Sequence, residues 1–125
     1  MELTKSELEV MNVLWKAARP LSRNDIITMS VDKSWKSSSI HILLNGLLKK
    51  GAIKEAGFVK CGKTYGRLYE ASIPCEEYYV ENVFVRSGKA VLPMLFSALI
   101  NSEELTPELV DELDAMLQKR KKELE

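Results

Sequence analysis

The stretch SWKSSSIHILLNGLLKKG, Ser34–Gly51, decides how the chain folds. Ile40, Leu43, Leu44, Leu47 and Leu48 recur at helical spacing and form one continuous apolar stripe, the mark of a helix with one side in a core. Lys49 and Lys50 suit the negative end of the helix dipole, and Gly51 suits the left-handed residue that closes a helix. The opposite side is less ordinary. Ser37, Ser38 and Ser39 are poor helix formers, His41 is the chain's one histidine, and Ile42 is a large apolar residue among polar ones. A helix that enters a DNA major groove accounts for this set. Short serines keep its tip slim, and hydroxyls with free N–H groups at a helix start receive phosphate. Asn45 can pair with an adenine edge, and Ile42 can meet a thymine methyl. Trp35 and Lys36, just before the helix, are expected to grip the DNA backbone. For each residue taken singly, a solvated surface remains an open reading.

Upstream, Thr4 and Glu7 have the spacing of a capping box, and Leu8, Met11, Leu14 and Trp15 follow at helical spacing until Arg19-Pro20. Ser22 can cap a short second helix, Arg23 to about Ser30, with Ile26, Ile27 and Met29 for burial. Residues 31–34 read as a polar turn. Downstream, residues 52–56 suit a short strand, residues 57–66 with three glycines a loop, and residues 67–72 alternate like a strand with one wet face. Three helices followed by a hairpin form the layout of a winged helix-turn-helix. Its wing carries Lys60, Lys63 and Arg67, placed to reach flanking phosphate or the minor groove.

Ile73-Pro74 ends the hairpin. A helix is expected from Glu76 to about Ser87, carrying Tyr78, Tyr79, Val80, Val83 and Phe84. Residues 91–100, with Leu92, Leu95, Phe96 and Leu99, are apolar nearly all round, and Pro93 is tolerable only in a first turn. Thr106-Pro107-Glu108 opens a last helix with the stripe Leu109, Val110, Leu113, Met116 and Leu117. A helix as apolar as 91–100 must be covered on most sides, and two flanking helices are too few. The expected cover is a second copy of the chain; packing back onto the front half is the alternative. The fold class expected is therefore mainly α, with a winged-helix DNA-binding domain at 1–73 and a three-helix dimerisation domain at 74–125.

The formal net charge is zero, but it is unevenly spread. Residues 1–72 hold 12 Lys and Arg against 7 Asp and Glu, a net +5, and residues 73–125 hold 6 against 11, a net −5. The basic part suits a polyanion and the acidic part suits protein. No nucleophile elbow, phosphate loop, dinucleotide fingerprint or zinc-protease motif is present, so no enzyme is expected. One histidine and two separated cysteines, Cys61 and Cys75, leave no expected metal site or cofactor. The cysteines, the absence of a signal layout at the start and the lack of an apolar run of ~20 residues point to the cytoplasm and no membrane.

Taken in order, these motifs resemble the penicillinase-repressor family of bacterial transcriptional regulators (the BlaI/MecI/CopY type). The resemblance is carried by Leu3–Met11 with Leu14-Trp15, by Trp35, Ser39-Ile40, Leu43–Asn45 and Leu48–Gly51, and by Arg67–Tyr69, Glu76–Tyr78 and Ser102–Thr106. It implies a dimer that binds palindromic promoter operators and represses transcription. In the best-known members the repressed genes give β-lactam resistance, and a membrane sensor protease system triggers cleavage of the repressor. The chain departs from the family pattern in three places. Ser38 and Ser39 stand where the family usually has Lys-Thr, and Gly46 where it usually has Arg. The Asn-Phe bond that is cleaved in antibiotic-responsive members falls on Ala98-Leu99. The C-terminal cysteine cluster of the copper-responsive branch is missing. A sequence-specific homodimeric repressor is thus expected, with its operator, genes and inducer unspecified. The alternative is a winged-helix protein-interaction module that has lost DNA binding.

Overall fold

The structure, a computed structural model, describes residues 1–86, 88 and 90–125. They form two compact units, Met1–Val83 and Phe84–Glu125.

The first unit opens with α1, Lys5–Ala17, held by the expected capping box. The Glu7 amide donates to the Thr4 hydroxyl at 3.2 Å, and the Thr4 amide donates to the Glu7 carboxylate at 2.9 Å. The helix ends on Ala18 in the left-handed region. A two-residue strand, β1 (Leu21–Ser22), leads into α2, Arg23–Met29, where Ser22 and Asp25 form a second capping box. Then comes a 3-10 turn, Ser37–Ser39, and α3, Ile40–Lys50, closed by Gly51 at φ 77°. The hairpin is β2, Ile53–Cys61, with β3, Thr64–Ala71.

The sheet order is β1-β3-β2, all antiparallel. Two sequence expectations change here. The third strand, β1, is too short to show a periodic pattern; it is revealed by its pairing, Leu21 with Tyr69 and Ser22 with Leu68. The expected loop at 57–66 is mostly strand. Gly57, at φ 125°, sits at a bulge between Glu55 and Gly57, and Gly62, at φ 64°, occupies a turn between the paired Cys61 and Thr64. These glycines bend and reverse the hairpin rather than interrupting it.

The core is built as the stripes require. Val10, Met11 and Leu14 of α1, Ile26 of α2, and Ile40, Leu44 and Leu47 of α3 pack with Leu21, Ala52 and Ile53. Met29, expected inside, is 40% exposed. The Trp15 indole donates to the Ile73 carbonyl at 2.9 Å, tying α1 to the chain leaving the wing.

One carboxylate links the ends of this core. Glu7 is buried, and Lys50 at the end of α3 donates to it at 2.5 Å. Gly46 leaves room for it, since a Cβ there would lie 2.9 Å from a Glu7 carboxylate oxygen. Burial pushes the Glu7 carboxyl up, but the Lys50 ammonium together with the Thr4 amide and hydroxyl outweighs it and holds the carboxyl below 4.5.

After Pro74 the chain forms α4, Cys75–Tyr79, which continues as a π-helical turn over Val80–Val85. The expected helix end at Ser87 lies outside the described residues. In the second unit, α5 spans Val91–Ile100 and α6 spans Pro107–Leu124. Thr106 caps α6, accepting from the Leu109 amide at 3.2 Å, with Pro107 as its first residue.

A depressed carboxyl contributes stability that is full above its ordinary value of 4.5 and is lost as the pH falls through its lower folded value. Glu7→Gln is therefore expected to cost about 1–2 kcal/mol at pH 7, from the cap and the charged hydrogen bond. That gap should close on acidification. Thermal melts of both proteins from neutral to acid pH check this, and a gap independent of pH would contradict it.

Candidate nucleic-acid interface

The polar side of α3 carries His41, Ile42 and Asn45, all exposed. Ile42 is 75% exposed, so no intramolecular contact explains an apolar residue there. Ser37, Ser38 and Ser39 precede α3 as the 3-10 turn rather than as its first turn, because the Ser39 amide bonds to the Lys36 carbonyl at 2.8 Å. No serine side chain caps either element. Ser37 and Ser38 are exposed and Ser39 is half-buried.

The approach to this turn is fixed from α1. The Ser34 amide donates to Glu9 at 3.0 Å, and its hydroxyl donates to the other Glu9 oxygen. The Ser34 hydroxyl, opposed by slight burial and aided by the Ser34 amide and Lys5, holds the Glu9 carboxyl below its usual value.

Trp35 requires a correction. It is only 7% exposed and belongs to the core cluster, so it cannot grip a DNA backbone. Its indole N–H is buried without a hydrogen-bond partner among the described residues, and Lys33 lies 5.7 Å from its ring centre. Trp35 wedges the segment before α3 into the core, and Lys36 beside it is exposed.

On the wing, Phe58 opposes Arg67 and Lys60 opposes Tyr65, so these four side chains share one face. Lys60, Lys63, Phe58 and Tyr65 are exposed. Arg67 is exposed but engaged, with Nη1 donating to Glu55 at 2.9 Å. Any phosphate that approaches Arg67 competes with this carboxylate, a partner that the spacing of Glu55 and Arg67 across an unrecognised bulge had hidden.

The wing, α2 and α3 enclose a cleft of about 290 Å³ lined by Ser22, Arg23, Asn24, His41, Asn45, Cys61, Tyr65, Gly66, Arg67 and Tyr69. Three expected site residues, His41, Asn45 and Arg67, therefore meet around one space. Arg23 was not among the expected residues, yet its Nη1 lies 2.5 Å from His41 Nε2. The only sequence signal for it was its place directly after the capping Ser22. Both cysteines are free thiols. No group of three His, Cys, Asp or Glu is placed to hold a metal among the described residues.

The residues expected to join two copies fall into two groups. Tyr79 is 38% exposed, and its ring also meets its own chain, 5.3 Å from Tyr78 and 6.1 Å from Trp15 between ring centres. Val83, Leu92 and Leu95 are half-buried, and the Phe84 side chain lies outside what is described. Phe96, Leu99, Leu109, Leu113, Met116 and Leu117 remain exposed, Leu99 by 60% and Leu117 by 63%. A cavity of about 410 Å³ lies among residues of α5 and α6, including Phe96, Ile100, Val110, Leu113 and Leu117. No helix among the described residues is long and apolar enough to cross a membrane.

With this geometry in view, comparison with known proteins places the chain. It belongs to the penicillinase repressor family, whose profile matches residues 3–119. It is 27% identical to the methicillin resistance regulatory protein MecI of Staphylococcus aureus (strain N315) over 120 residues, 95% of each chain. It is 28% identical to the penicillinase repressor of Bacillus licheniformis over 125 residues, 96% of this chain and 92% of that one. Among solved structures, a point mutant of MepR from a multidrug-resistant S. aureus clinical isolate aligns with 98% of this chain and 80% of its own, at 17% identity and a TM-score of 0.50, a likeness of fold.

Trp35 and Ile42 should part company under substitution. Trp35→Ala should cost about 3–5 kcal/mol of stability. Ile42→Ala should stay within about 0.5 kcal/mol of the parent. Chemical denaturation measures both, and a large loss for Ile42→Ala would mean that this residue is structural.

Proposed function

We propose that this chain is a homodimeric transcriptional repressor in which residues 1–73 hold an operator and residues 74–125 join two copies. The observation that carries the reading is the outer side of α3. It presents Asn45 and an unburied Ile42 beside a wing bearing Lys60, Lys63 and Arg67, on the basic part of the chain. Asn45 and Ile42 would read base edges, while Ser37, Ser38, Ser39, His41, Lys36 and the wing cations would hold phosphate and sugar. Trp35 would act from within the core, setting the start of the turn.

Dimerisation is supported by the apolar side chains that α5 and α6 leave exposed, among them Met94, Leu99, Ile100, Met116 and Leu117. A second copy would cover them. The two α3 helices would then enter successive major grooves of a palindrome about 34–36 Å apart, occluding a promoter. Family membership and the names of the relatives, a penicillinase repressor and a resistance regulator, favour this activity in the cytoplasm rather than an enzyme. Release would depend on an inducer system such as a sensor protease. With Ala98-Leu99 at the position of the family's scissile bond, cleavage there is not part of the proposal.

The alternative, a module without DNA binding, loses one of its supports. Gly46 lies against Glu7 on the side of α3 that faces α1, so its missing cation is not missing from the outer face.

Titration of the protein against the promoter of its own operon and against random duplex tests the reading. Asn45→Ala should weaken the specific complex by about 1–3 kcal/mol and the random one hardly at all. Lys63→Ala should weaken both and lower the salt slope by about 1. Equal losses on both duplexes for Asn45→Ala would contradict base reading.

A further inference from the structure

We propose that the cleft between α2, α3 and the wing seats one backbone phosphate of the DNA in each protomer, and that His41 takes up a proton as the phosphate arrives. The inference rests on the DNA reading above and adds Arg23 to the site.

Arg23 Nη1 lies 2.5 Å from His41 Nε2. A guanidinium only donates, so in this contact Nε2 is the acceptor and its lone pair is turned to Arg23. A second proton on this ring would set an imidazolium against a guanidinium. The remaining charged or titratable side chains facing the cleft are Arg67, Cys61, Tyr65 and Tyr69, and none is a carboxylate. The nearby acids are engaged elsewhere. Asp25 of α2 accepts from the Ser22 amide at 3.2 Å, and Glu55 of β2 holds Arg67 at 2.9 Å. The cleft thus gathers two permanent cations, a base and the Asn45 amide around a space of about 290 Å³, with no anion in its lining.

A phosphate supplies the missing charge. The Arg23 guanidinium can turn to it with two parallel N–H donors, which frees His41 Nε2. The freed nitrogen takes a proton from solvent and becomes a donor to the same phosphate. The complex then holds more protons than its free components, so affinity rises as the pH falls.

The test uses the full chain and an operator duplex at constant ionic strength. Affinity of the parent protein should rise between pH about 8 and 5.5, the range in which histidines titrate, and flatten for His41→Gln. The limiting slope is about tenfold per pH unit for each protomer engaged. Arg23→Ala should lower affinity throughout. Because the chain has one histidine, its ring proton signals report directly, and duplex should move the His41 titration midpoint upward. Selective binding with a flat parental profile overturns the inference alone, as does an unchanged slope in His41→Gln. An equal midpoint shift from inorganic phosphate alone overturns the DNA assignment of the cleft. Absence of selective binding at every pH overturns the DNA reading and this inference with it.

Discussion

The first unit turns on one buried carboxylate. Glu7 caps α1 through Thr4, accepts from Lys50 at the far end of α3, and occupies the space that Gly46 leaves open. A buried ion pair of this kind says less about total stability than about register. It ties the first turn of α1 to the last turn of α3, the helix whose apolar stripe fills the core. With Ile40, Leu44 and Leu47 in the core, His41, Ile42 and Asn45 have nowhere to go but the surface. The core and this carboxylate thus determine what the outer face can offer.

That face is paired with a wing whose charges are partly spoken for. Lys60 and Lys63 stand exposed, whereas Arg67 is shared with Glu55. An exposed pair of this type is weak, so a phosphate can replace the carboxylate at little cost. The pair holds Arg67 in position before any partner arrives. Arg23 plays a comparable part for His41, its Nη1 lying 2.5 Å from Nε2. Sequence spacing along α3 identified which residues face outward, but not which neighbours hold them.

What was legible followed local rules. The caps at Thr4, Ser22 and Thr106, the stripe from Ile40 to Leu48 and the stop at Gly51 each depend on a few adjacent residues, and each stands where the spacing put it. What was not legible depended on pairing across the fold. The residues around Gly57, Gly62 and Gly66 look like a loop in composition, and only the register with β3 makes them a bulge, a turn and a strand position. A tryptophan before a recognition helix reads equally as a phosphate contact or a core wedge, and burial decides for Trp35. Tyr79 reads as apolar helix surface and is exposed, but that its ring stands beside Tyr78 and Trp15 could not be read from spacing.

The central claim is that two copies present their α3 helices to one duplex. Hydroxyl-radical footprinting of the operator tests it most directly, because it reports spacing and face together. The account predicts two protected regions on one side of the duplex, about 34–36 Å apart between centres. A single protected region, or two regions on opposite faces, would contradict it.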